Sequence, residues 1–203
     1  MNIAKALSPN FTKGRQGYGA VAIVDHIAEG TLLGGMAHIE NEKGGGLELG
    51  TMQEFASPKT EKSSHYLIGK DLSIIQFVEE KDTAWGNGYV MNPTSKLVLS
   101  RPGVNPNLYT ISIEHEGFAI EDITEGQYKL SAELHADIAK RWSIPLNRHS
   151  VIGHREIRTD KVCPGKISIE KLIALAIAPV PTAPDEATSF FVALYNWIKA
   201  FFS

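Results

Sequence analysis

The segment from Gly153 to Gly165 carries the chain's single cysteine, Cys163, nine positions after His154 and two after Lys161. Thiolate and imidazole are ligand types that Zn²⁺ prefers, and a catalytic zinc takes three protein ligands and keeps a fourth position open. Side chains that meet on one helical face lie three or four residues apart, so this pair must meet across a loop. Two ligands are not enough, and the fold is obliged to bring a third from a distant part of the chain. Without it, a lone cysteine is a small buried hydrophobe and a lone loop histidine a surface residue. His149 is a nearby rival, but it stands before the strand expected over 148–152.

The third ligand has a natural source. Val21-Ala22-Ile23-Val24 is a short apolar run rich in β-branched residues, the pattern of a strand buried on both faces. It ends in Asp25-His26, at the rim of a sheet, where α/β folds bind ligands. A strand over Tyr109–Ile113 likewise delivers Glu114-His115-Glu116, of which alternation lets at most one neighbour share the face of Glu114. Residues 65–68 and 73–78 read as a hairpin joined by Gly69-Lys70-Asp71-Leu72.

Thr124-Glu125-Gly126-Gln127 has the form of a capping box. Leu130, Leu134, Ile138 and Trp142 then recur at helical spacing, with Pro145 as the expected stop. Shorter helices are expected over 47–55 and 168–178, an irregular lead-in over 1–19, a glycine-rich loop over 30–46 and a long loop over 82–107. Strands alternating with helices predict an α/β domain with a mixed central sheet covered on both faces.

The expected organisation is a catalytic domain at 1–178, a proline-rich linker at 179–188 and an apolar C-terminal helix at 189–203. A formal net charge of −3 argues against nucleic acid as a partner, and one cysteine excludes an internal disulfide. No secretory signal and no run of membrane-spanning length is found, so synthesis in the cytoplasm is expected. Phe190, Phe191, Leu194, Trp197, Ile198, Phe201 and Phe202 form a helical stripe. It packs on its own domain or on a second subunit, lies on a membrane surface, or anchors to the wall. A single cation, Lys199, weakens the membrane reading.

Two imidazoles and a thiolate would leave zinc a residual positive charge and an open position, able to polarise a carbonyl and acidify water. Glu114 is the residue type to take a proton from that water, and Lys161 to stabilise an oxyanion. The chemistry is that of a metal-assisted amide hydrolase.

The runs Ser63-Ser64-His65-Tyr66-Leu67-Ile68, Asp82-Thr83-Ala84-Trp85, Ile111 to Gly117, Gly153 to Glu156 and Cys163-Pro164-Gly165 resemble the zinc N-acetylmuramoyl-L-alanine amidases. These are the type 2 amidases, which share a fold with peptidoglycan-recognition proteins. The likeness spans residues 18–178. It implies His26, His154 and Cys163 as Zn²⁺ ligands, Glu114 as the acidic residue that activates water, and Lys161 as the residue that steadies the tetrahedral intermediate. The implied substrate is the amide joining N-acetylmuramic acid to L-alanine in peptidoglycan or a muropeptide.

His65 and Trp85 are candidates for substrate contact. The alternatives are a pairing across the hairpin for His65 and a core aromatic for Trp85. The chain departs from the family pattern at Ser64 and Gly86, where many members carry an aromatic residue and a histidine, and 36–47 reads as an insertion. The expected setting is a phage or prophage endolysin reaching the wall through a membrane lesion. A muropeptide-recycling amidase and a non-catalytic recognition module are the alternatives.

Overall fold

The apolar run that begins at Val21 forms an interior strand of the sheet, Ala22–Ile27, and all of the strand's residues are buried. It runs through Asp25 and His26 and one residue further, because a neighbouring strand pairs with it as far as Ile27↔His115. The computed structural model describes residues 1–30 and 50–178. The glycine-rich stretch 31–46, the insertion at 36–47, the linker 179–188 and the C-terminal helix 189–203 lie outside the described residues.

In chain order the elements are β1 (Ala4–Lys5), β2 (Phe11–Thr12), β3 (Ala22–Ile27), α1 (Thr51–Ala56), β4 (Tyr66–Ile68), β5 (Ile74–Gln76) and β6 (Thr83–Ala84). They continue with α2 (Lys96–Leu99), β7 (Thr110–His115), α3 (Glu125–Trp142), β8 (Val151–Gly153) and α4 (Ile169–Ile177). A six-stranded sheet has the order β1-β5-β4-β7-β3-β8, and β2 and β6 form a separate ribbon. The sheet is mixed: β3 runs parallel to β7 and β8, and the β4–β5 hairpin supplies the antiparallel pair.

Alternation along β3 divides the core. Ile23 packs with Leu134 and Ile138 of α3, and Ile27 with Leu172 and Ile173 of α4. On the opposite face Val24 meets Val98 and Ile152, and Ala22 meets Leu97 and Tyr109. Phe55 of α1 covers Leu67 and Ile75 on that second face. Each such aliphatic side chain removed from water contributes about 1.5–3 kcal/mol. The site lies at the end of β3 and β7 on the second face.

Helix α3 starts as the capping box predicts, with Thr124 and Gln127 bonding reciprocally, an arrangement worth about 1 kcal/mol. It ends at Trp142, the last residue of the helical spacing. Ser143 turns left-handed at φ 56° and Ile144 N–H closes onto Ala139 O, so the helix has stopped before Pro145. β8 begins at Val151, because the residues before it form a turn in which Ser150 and Val151 N–H bond Asn147 O.

The lead-in is not irregular either: β1 pairs with β5 and β2 with β6. Arg15, 5% exposed, donates to the carbonyls of Glu80, Asn107, Leu108 and Thr110. It thereby ties the lead-in to the segment 82–107, itself structured by β6, α2 and a 3-10 turn at Pro106–Tyr109.

Candidate metal centre

Three segments that are remote in sequence converge at one point. His26 lies near the end of β3, and Glu114 sits directly opposite it on β7. His154 follows β8 immediately, where Gly153 pairs with Asp25. Cys163 returns on a loop held by Arg155 N–H bonded to Cys163 O at 2.8 Å. Two glycines permit the docking: a Cβ on Gly165, at φ +65°, would lie 2.4 Å from Ala119 Cα, and one on Gly153 would lie 2.6 Å from Pro164 Cδ.

One ligand atom from each of His26, His154 and Cys163 lies within 4.8 Å of the others, and all three residues are buried. The imidazole centroids are 4.5 Å apart, tilted by 53°. Wide spacing in sequence thus becomes proximity in space.

The protonation states follow from the surroundings. His154 Nε2 lies 3.1 Å from Asn87 O. A carbonyl only accepts, so Nε2 carries the proton and Nδ1 keeps its lone pair. Burial pulls His154 down to about 4, against the Asn87 bond and helped by Lys161 and Arg158. Burial, then the neighbouring His154, holds His26 well below its ordinary value. Both rings are therefore neutral near pH 7, the form that binds metal.

Burial first, then Glu114, pushes the Cys163 thiol far up, opposed by Ile27 N–H aimed at Sγ from 3.2 Å. A thiolate here requires a cation beside it. Burial and then Glu54 raise Glu114 to about 8; its Oε1 is 3.9 Å from His26 Nδ1, and its Oε2 has no hydrogen-bond partner.

The donor set fits Zn²⁺: two neutral imidazoles and one sulfur, buried and convergent, with a fourth side open. Three partnerless atoms at the site, His26 Nε2, Asn87 Oδ1 and Glu114 Oε2, agree with a centre whose polar groups are not all spent on the bonds of the fold. His26, His154, Cys163 and Glu114 line a cleft of about 680 Å³, with Phe55 and Trp85 among its walls. Lys161 is exposed at its rim. Trp85 is half-buried, its indole N–H donating to Thr12 Oγ1 at 3.0 Å.

His65 is not part of the cleft. Its ring is buried against Ser112, Arg15 and Asp82, with Nδ1 accepting from Ser112 N–H at 3.0 Å, so no ring nitrogen faces the cleft. Burial, then Arg15, lowers its pKa to about 3. Its main chain does pair across the hairpin, His65 O accepting from Phe77 N–H. His149 is exposed, at the far end of β8 from the site.

Two residues at the site went unseen in the sequence. Arg158 lines the cleft while stacking over Tyr89 at 3.8 Å and pairing with Asp160. Asn87, fully buried, carries the carbonyl that orients His154. The only signal for Asn87 was its place between Gly86 and Gly88.

A family described as N-acetylmuramoyl-L-alanine amidase matches residues 22–166. No curated protein matches significantly. Among solved structures, AmpD, as its selenomethionine derivative, has a TM-score of 0.61 at 23% identity, covering 85% of this chain and 93% of its own. The catalytic domain of XlyA gives 0.56 at 19%, covering 87% and 99%. The N-acetylmuramoyl-L-alanine amidase LysC from Clostridium intestinale URNW gives 0.54 at 18%, covering 86% and 96%. At these identities the likeness is one of fold, and it is the mixed α/β architecture described above.

Proposed function

The chain belongs to the N-acetylmuramoyl-L-alanine amidase family, and from that premise we propose that it is a zinc enzyme hydrolysing the amide between N-acetylmuramic acid and L-alanine in peptidoglycan. The observation that carries this reading is the convergence of His26, His154 and Cys163 to within 4.8 Å at the floor of a cleft. When bound, zinc supplies Lewis acidity, which polarises the scissile carbonyl and acidifies a water molecule.

The chain's own residues do the rest. Glu114, whose Oε2 has no partner, takes the proton from the attacking water and returns it to the leaving amine of L-alanine. Lys161 extends its ammonium from the rim toward the oxygen on which negative charge develops. Trp85 offers an aromatic wall to the substrate. Lys161→Ala is expected to retain zinc and to lose about 10²–10³-fold in kcat, read by steady-state kinetics with metal analysis; unchanged kinetics would remove the role.

The catalytic unit is residues 1–178, and the setting is an endolysin acting on the intact wall. What supports that setting is the likeness in fold to an endolysin amidase, LysCS from Clostridium intestinale URNW, which covers 85% of this chain at 16% identity. The test is digestion of purified sacculi with and without a chelator, with mass analysis of the products. Chelator-sensitive release of new L-alanine amino termini is the expected result. Activity on soluble muropeptides alone would favour a recycling amidase. Wall binding with zinc and no hydrolysis would favour a recognition module.

A further inference from the structure

We propose that Asn87 is a positioning residue that sets both imidazoles of the metal centre at once, His154 through its main-chain carbonyl and His26 through its side-chain carboxamide. The inference rests on the zinc reading of that centre and adds to it a residue outside the ligand set. Asn87 has no exposed surface and is held from two sides. Its N–H donates to Asn107 Oδ1 at 2.9 Å, and its Nδ2 donates to Thr110 Oγ1 at 2.9 Å. The Thr110 hydroxyl spends its own proton on Pro106 O, at 2.9 Å. It can therefore only accept from Asn87, and this fixes which end of the carboxamide is nitrogen.

Oδ1 is then the atom left over, and it has no hydrogen-bond partner elsewhere; neither has His26 Nε2. The His26 ring adjoins the His154 ring that Asn87 O reaches, the two centroids 4.5 Å apart, and the Asn87 side chain acts on His26 as a polar neighbour. A buried carbonyl oxygen and a buried ring nitrogen satisfy each other when Nε2 carries the proton. That leaves Nδ1, the nitrogen on the Glu114 side, as the lone pair available to a cation. His154 is set the same way, its Nε2 proton directed to Asn87 O at 3.1 Å. One residue thus imposes one tautomer on two ligands from different strands. An outer partner of this kind orients a ring and raises its basicity.

The test compares the full-length wild type with Asn87→Ala, Asn87→Asp and Thr110→Val. Zinc affinity is read by competition with a chromophoric chelator, and folding by circular dichroism. Asn87→Ala is expected to weaken zinc binding by about 10–100-fold. Asn87→Asp, which keeps an acceptor at the same place, is expected to restore or tighten it. Thr110→Val removes the partner that fixes the carboxamide, so it should lower the melting temperature and weaken zinc binding by less than Asn87→Ala does.

Wild-type affinity in Asn87→Ala, with stability lost as in Thr110→Val, would overturn the proposal. Should Asn87→Ala not fold, the Co²⁺-loaded Asn87→Asp protein decides: a more basic His26 shifts the visible ligand-field bands, and a spectrum superposable on that of the wild type overturns it. A wild-type chain that takes up no zinc overturns the metal reading itself, an outcome distinct from any difference among the variants.

Discussion

β3 and β7 carry two buried polar clusters back to back, one residue out of step, and the two are treated in opposite ways. Toward α3, Asp25 meets His135 Nε2 at 3.1 Å, and His135 Nδ1 meets Ser131 O at 2.7 Å. Both ring nitrogens face acceptors, so both donate and the ring is an imidazolium. Burial opposes that charge, and Asp25 outweighs it, raising the His135 pKa. Ser131 Oγ then donates to His115 Nε2, and His115 Nδ1–H holds His26 O at 2.9 Å.

On the other face His26 and His154 are neutral, Cys163 keeps its proton and Glu114 titrates high. The first cluster contains its own cation. The second is a set of lone pairs with none. Equal burial therefore goes with a charge-balanced cluster on one side of the sheet and a set of cation-binding donors on the other.

Removing a donor from the open face should cost function with little stability, and the reverse should hold for the closed face. The largest effect is expected for Cys163→Ala: zinc lost by elemental analysis, hydrolysis of sacculi at background, and a chelator-treated wild type behaving alike. Undiminished metal content and rate in that variant would break the contrast at its centre. Glu114→Gln should keep zinc and lower kcat by about 10²–10⁴-fold. Because it removes a buried, unpaired carboxyl group, its urea midpoint should not fall below that of the wild type.

Across the sheet, Asp25→Asn strands the His135 charge, and breaking a buried pair costs about 3–5 kcal/mol, measured by urea denaturation. A value near zero would mean that the closed face is not ionic.

The smallest expected effect is a pH dependence. His135 has a folded pKa above its ordinary 6.5, so its contribution is complete below that value and is lost as pH rises through the folded pKa. The melting-temperature gap between wild type and His135→Gln should therefore narrow as pH is raised above 6.5. A gap that widens would contradict the charged assignment.

Much of this was readable in the residues. β-branched runs announced β3, β7 and the hairpin, the capping box fixed the start of α3, and wide spacing from His154 to Cys163 demanded a distant third ligand. What escaped detection depends on long-range partners. His65 looks like a substrate contact in one dimension, but the strand bearing Ser112 and the guanidinium of Arg15 enclose it. Asn87 is a loop asparagine until His154 arrives opposite its carbonyl. The end of α3 was decided by Ser143 adopting a left-handed turn, a choice that serine does not advertise. β1 and β2 are too short to show any period.

Arg15 has a practical consequence for anyone trimming this protein. The family match begins at residue 22, but the buried guanidinium of Arg15 comes from seven residues earlier and answers four carbonyls of two later segments. A fragment cut at the start of the matched region would leave those oxygens facing one another in the dry interior, under the loop that carries Trp85. The boundary of recognisable ancestry is therefore not the boundary of the foldable unit.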